Sequence, residues 1–141
     1  MASHKSSRIG KNFSAKTKQH LAERVAYMCS QPYCRILTIK PKSDQNISVK
    51  SGKASHIISA GTNGPRTDTT ISDEVIKSFN NGIWLCDKCS REVDDNESPY
   101  TVTELTKWKK DAEEYVESLV THDTRLRQLR ILTQSNLSAL R

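Results

Sequence analysis

Two cysteine pairs far apart in the chain set the strongest limit on its fold: Cys29 with Cys34, and Cys86 with Cys89. The second is a Cys-x-x-Cys knuckle, a spacing that lets one tight turn present two thiolates to one metal ion. It lies within Asn81 to Asp94, where a turn-prone Asn-Gly precedes the strand formers Ile83, Trp84 and Leu85. The first turns of a helix follow the knuckle. Four cysteines in two close pairs have the ligand count of a closed tetrahedral zinc site, which would be structural because four thiolates leave no position for water. Four reduced thiols, or two disulfides, are the competing readings.

Composition sharpens that choice. The chain has 141 residues, 35% hydrophobic and 6% aromatic, which suits one domain with an appendage and a small core. Small cores need a staple such as a metal or disulfides. Met1 to Asn12 is polar and basic with no apolar centre, unlike a secretory signal. No run approaches the roughly 20 apolar residues that cross a bilayer. The expectation is a cytoplasmic chain with no membrane partner, where reducing conditions favour thiolate–metal ligation. Of the net charge of +6, the excess sits at the front: residues 1–50 carry ten Lys/Arg against two acidic residues. Such a face meets phosphates or an anionic partner, though ordinary solvated lysines give the same count.

Along the chain, 1–13 reads as a disordered basic tail. Ser14 caps a helix expected over Ala15 to Met28 that delivers Cys29, and Gln31-Pro32-Tyr33 turns Cys34 back to the same ion. Strands are expected over Arg35 to Lys40, Asn46 to Lys50 and Lys53 to Ser59, then a loop over Ala60 to Thr70. A short helix over Ser72 to Phe79 precedes the knuckle. Thr103 is expected to cap an amphipathic helix to Val120, with Leu105, Trp108, Ala112, Val116 and Leu119 as its buried stripe. Asp123 to Leu140 reads as a further helix whose leucine face would pack on another copy or a partner protein.

These motifs, Cys29/Cys34, Ser55-His56-Ile57, Gly64-Pro65-Arg66, Asn81 to Cys89, Val93-Asp94 and the Leu105 to Lys109 helix, resemble the HNH endonuclease family. The resemblance covers roughly residues 14–118 and is closest to a bacterial subgroup found as N-terminal effectors of antiphage proteins. It implies an α+β chain: a small zinc-stapled ββα-metal core with an N-terminal helix and C-terminal helices. The nuclease domain would span 14–120 and a helical extension 121–141. The implied activity is metal-dependent hydrolysis of DNA, with zinc structural and Mg²⁺ or Mn²⁺ catalytic.

Two positions depart from the family pattern. HNH nucleases commonly carry Asp or His before the first His, and a His after the second Cys; here these are Ser55 and Ser90. A neutral hydroxyl is a poor ligand for a hard divalent cation. Asp94, four residues after Ser90 on the same helical face, is the substitute candidate for the catalytic ion. His56 is the expected general base, since a neutral imidazole titrates near working pH; a hydrogen-bonded structural histidine is its plain alternative. Asn81 is either a turn residue or the amide that holds the His56 strand or ring. Arg66 resembles a phosphate clamp, or is a turn arginine. Beside DNA cleavage, a silent zinc module that binds nucleic acid and an assembly module built on the last helix remain open.

Overall fold

A computed structural model describes residues 10–95, 99–120 and 132–134. The expected tail up to residue 9, and the expected terminal helix apart from three helical residues at 132–134, lie outside that description.

Helix α1 is Ala15–Arg24. Ser14 starts it: its Oγ accepts from the Thr17 N–H at 3.1 Å, satisfying a first-turn donor that has no partner within the helix. The helix ends at Arg24, short of the expected Met28. The Tyr27 N–H donates to Ala22 O at 2.8 Å and the Ala26 N–H to Glu23 O at 2.9 Å, the paired bonds of a Schellman cap. Ala26 and Tyr27 have φ of 50° and 59°, a left-handed stop without the glycine that usually announces one. Cys29 is therefore delivered by a short ribbon instead of the helix: Met28 bridges Leu37, and the Cys29 N–H donates to Ile36 O at 2.8 Å. Arg35 is also left-handed, with φ 51°, so the strand expected from there begins only at Ile39.

Strand β1 (Ile39–Pro41) pairs antiparallel with β2 (Ser48–Lys50). A second antiparallel pair joins β3 (Lys53–His56) to β4 (Gly82–Leu85), with Ser55 opposite Ile83 and His56 opposite Gly82. Helix α2 (Asp73–Ile76) is shorter than the helix expected over Ser72 to Phe79, and a 3₁₀ turn (Phe79–Asn81) follows it. After β4 come α3 (Asp87–Asp95) and α4 (Val102–Val120).

The β3–β4 hairpin is the centre of the molecule, and alternation sends its side chains to two layers. Ile83 and Leu85 join Cys29, Ile57, Cys89, Val93, Leu105 and Trp108 in a buried cluster against α3 and α4. Trp84 faces the other way, onto Leu21, Ala22, Val25 and Ala112, with Ala54 packed at its edge. Gly82 allows the close approach of α1: a Cβ there would stand 2.5 Å from Leu21 Cδ1 and 3.1 Å from Phe13 Cζ. Arg24 ties α1 to α4 through two hydrogen bonds to Glu113, at 3.1 and 2.7 Å.

Thr101, not Thr103, caps α4, its Oγ1 accepting from the Glu104 N–H at 3.1 Å. Leu105, Trp108 and Ala112 are buried as expected, but Val116 is half-buried and Leu119 is 41% exposed. The stripe fades because α4 outruns the hairpin it packs on. Among the described residues, no helix is long and apolar enough to cross a membrane.

Candidate functional site

The four cysteines converge on one point. Their sulfurs all lie within 4.8 Å of one another, and Cys34 Sγ is 3.9 Å from Cys86 Sγ. A disulfide needs about 2.05 Å, and all four thiols are free. Four sulfurs held about 2.3 Å from a common tetrahedral centre would stand about 3.8 Å apart. The donor set is positioned to bind one metal ion.

Local backbone geometry makes this possible. Cys86 follows β4 directly and Cys89 lies in the first turn of α3, whose N–H donates to Cys86 Sγ at 3.4 Å. On the other side, the Cys34 N–H donates to Gln31 O at 3.0 Å, and Arg35 Nη1 donates to Ser30 O at 2.9 Å. These bonds fold the Pro32–Tyr33 turn back on itself. The Ser30 N–H donates to Trp84 O at 2.9 Å, which locks the two half-sites together.

Two of the thiols, Cys29 and Cys89, resist deprotonating. Burial pushes Cys29 up to about 11, and charge on Cys86 and Cys34 adds to the effect. Cys89 is raised as well, by burial first and then by the Cys29 charge. At Cys86 burial acts in the same sense, but hydrogen bonds from the Cys89 N–H and the neighbouring thiols outweigh it, and this thiol falls below its ordinary value. A bound divalent cation removes the mutual repulsion that keeps the remaining protons on.

His56 closes β3 and is half-buried. Its Nε2 is 2.9 Å from Lys11 O; a carbonyl only accepts, so Nε2–H is the donor, and in the neutral form of the ring the lone pair is on Nδ1. The ring stacks on Phe13 with centroids 4.0 Å apart and planes at 14°. Lys11 Nζ lies 4.0 Å from the Asp73 carboxylate. The segment ahead of α1 thus covers one side of the imidazole. Sequence reading missed this; the signal was Phe13, a lone aromatic in an otherwise polar stretch, buried here to 5% exposure.

Asn81 lies beneath the chain that leaves His56. Its Oδ1 accepts from the Ile58 N–H at 2.8 Å, and its Nδ2 donates to Ile58 O at 3.0 Å and Ile76 O at 2.8 Å. Arg66, with φ 54°, is 7% exposed. Its Nε donates to Ile57 O at 2.7 Å, and its Nη1 to Val93 O at 3.1 Å and Tyr100 O at 3.2 Å. The guanidinium braces β3, α3 and the approach to α4 from within.

Ser55 and Ser90 form a contact that sequence could only hint at. Their hydroxyl oxygens are 2.7 Å apart, and both residues are buried. Asp94 is exposed one turn further along α3. Among the described residues, the group of three or more His, Cys, Asp or Glu ligands close enough for one ion is the four cysteines, so Asp94 belongs to no such cluster. Comparison with protein-family models finds no match, and comparison with curated protein sequences finds none either.

Proposed function

We propose that this chain is an HNH-type nuclease module. In this reading a structural zinc on Cys29, Cys34, Cys86 and Cys89 staples the β3–β4–α3 unit, and His56 is the general base for hydrolysis of DNA phosphodiester bonds. One observation carries it: Ser55 and Ser90 meet at 2.7 Å. The HNH resemblance reserves these two positions, on a strand and a helix far apart in sequence, for ligands of one catalytic ion. Their convergence between β3, which carries His56, and α3 is what that resemblance leads one to expect. Zinc is the expected ion at the cysteines because four thiolates in a tetrahedron is its common structural set.

With Nε2–H held by Lys11 O, Nδ1 is the atom that takes the proton from the attacking water. Phe13 fixes the plane of the ring, and Asn81 fixes the backbone that follows it. Ser55, Ser90 and Asp94 offer oxygen donors with a single carboxylate among them. A Mg²⁺-class ion there would rest on that one carboxylate, on several waters and on substrate phosphate. When bound, the ion supplies neutralisation of the phosphate and of the leaving 3′ oxygen.

The same serine pair favours a second reading. Each hydroxyl already satisfies the other, and neutral hydroxyls hold hard cations weakly, which describes a catalytically silent zinc module that binds nucleic acid. Incubating the protein with supercoiled plasmid and Mg²⁺ or Mn²⁺, beside a His56→Ala variant, separates the two. Cutting by wild type that His56→Ala abolishes supports the nuclease. DNA binding without cutting supports the silent module, and equal cutting by both proteins removes His56 from the mechanism.

A further inference from the structure

On the side of the hairpin away from Ser55 and Ser90, an open cleft of about 490 Å³ runs between α1 and the β2–β3 connection. Its floor is aromatic, formed by Trp84 and Tyr27, with Gly52 and Ala54 alongside; its rims carry Lys18 from α1 and Lys50 and Lys53 from the hairpin side. No acidic residue lines it among the described residues. The acids nearest in its hydrogen-bond and ion-pair network are Glu23, which accepts from Gln19 at 2.7 Å, and Asp87, 2.8 Å from Lys53. Lys18 and Lys50 therefore supply the positive field, and Lys50 already stands 5.8 Å above the Tyr27 ring.

Backbone and side-chain contacts fix the Trp84 part of the floor in place. Gly52 lies so close over the indole that a Cβ on it would be 2.3 Å from Trp84 Cζ2. The indole cannot swing away, since Trp84 Nε1 donates to the buried Thr38 Oγ1 at 2.9 Å, and Tyr27 packs edge-on against it at 6.3 Å. Cations on both rims of a fixed aromatic floor match a chain that bears anions at intervals and flat faces between them. The volume falls in the range of about 300–1,000 Å³ typical of ligand clefts.

We propose that this cleft binds a segment of single-stranded nucleic acid, an unpaired base lying against Tyr27 and the flanking phosphates on Lys18 and Lys50. Unpaired bases stack on aromatic platforms without sequence preference, while lysines track the backbone. A duplex keeps its base faces stacked internally and offers none to Tyr27. The proposal deepens the nucleic-acid reading above but is tested on binding alone, so either can fail without the other.

The test uses the zinc-loaded full chain carrying His56→Ala, without added Mg²⁺ or Mn²⁺, titrated into a fluorescein-labelled 12-nucleotide single strand and followed by anisotropy. Lys18→Glu/Lys50→Glu should weaken binding by roughly ten-fold or more and flatten the dependence on log salt by about 1.4, the share of two phosphate contacts on a single strand. Lys110→Glu, an exposed charge reversal on α4, should change binding little. Equal losses in the cleft and control variants, affinity for a mononucleotide equal to that for the 12-mer, or duplex preferred over single strand would each overturn the assignment. Plasmid cutting by the otherwise wild-type Lys18→Glu/Lys50→Glu chain tells the two readings apart. If cutting persists while single-strand binding is unaltered, only the cleft fails; if the cleft binds and nothing cuts, only the nuclease does.

Discussion

Replacing Asn81 tests how the His56 strand is held. Asn81→Ala removes three hydrogen bonds, to the Ile58 N–H, Ile58 O and Ile76 O, at a residue only 6% exposed. A buried bond contributes about 1 kcal/mol net, and leaving its partner unsatisfied costs about 1–3 kcal/mol. The sum is a loss of about 3 kcal/mol. For a chain of this size, at about 4 °C per kcal/mol, that lowers Tm by roughly 12 °C. Asn81→Asp should be worse despite its similar shape, because it keeps the acceptor, loses both donors and turns a carboxylate toward two carbonyls. Guanidinium unfolding of the zinc-loaded protein, followed by tryptophan fluorescence, should show a lower midpoint with unchanged m-value. Zinc content should not change, since no bond of Asn81 reaches the cysteines. A loss below about 1 kcal/mol would mean that the β3 end is held elsewhere, and the account of Asn81 as its anchor would fall.

Three further outcomes are expected. If the four cysteines hold a structural zinc, Cys89→Ser leaves three thiolates for it, so zinc measured after dialysis should drop and the cooperative unfolding transition should be lost; retention of both would refute the staple. Ala26→Gly relieves a left-handed residue at the end of α1 and should stabilise by about 1 kcal/mol in the same unfolding assay, whereas destabilisation would contradict the Schellman geometry. Burial pushes Lys109 from its ordinary 10.5 down to about 8, against Glu113, which raises it. Between those values the unfolded chain binds the extra proton, so stability should rise with pH from about 8 to 10.5; Lys109→Met should flatten that rise, and parallel curves for the two proteins would refute it.

The sequence showed most clearly what is local and repeated. The Cys-x-x-Cys knuckle, the Ile83–Leu85 strand and the Leu105/Trp108/Ala112 stripe each carry their signal within a few residues, and each is found where expected. The end of α1 was illegible because its stop is left-handed at Ala26 and Tyr27, residues that carry no glycine signal and continue a helical pattern. The cap of α4 moved from Thr103 to Thr101 because both threonines fit the chemistry and only the chain's approach from Tyr100 decides between them. Contacts made across the fold were the hardest to read. Phe13 against His56 and Arg66 under three carbonyls each join segments whose sequences say nothing of one another.

The alternation of β3 also limits how any chemistry at this site can work. Ser55 and His56 are neighbours in a strand, so their side chains leave it on opposite faces: Ser55 toward Ser90 on α3, His56 toward Phe13 ahead of α1. An ion near the serines and a proton acceptor at Nδ1 cannot serve one phosphate across the middle of a strand. They can serve it only at the strand's end, and β3 ends at His56. Beyond that point the backbone is held by the Ile57 N–H to Asn81 O bond at 2.8 Å and by the Asn81 side chain, and the residue opposite His56 is Gly82, buried beneath Leu21 and Phe13. If the nuclease reading holds, a phosphodiester has to reach both at that end of β3, so the packing that places the His56 ring there matters to cutting. Gly82→Ala separates packing from catalysis: it forces a methyl to within 2.5 Å of Leu21 Cδ1 and should cost about 1–3 kcal/mol by overpacking. If the nuclease reading holds, cutting should fall by more than the folded fraction does, because α1 and Phe13 must shift to admit the methyl and carry the His56 ring with them. Activity that tracks the folded fraction alone would show that the imidazole's placement by Phe13 has no part in the chemistry.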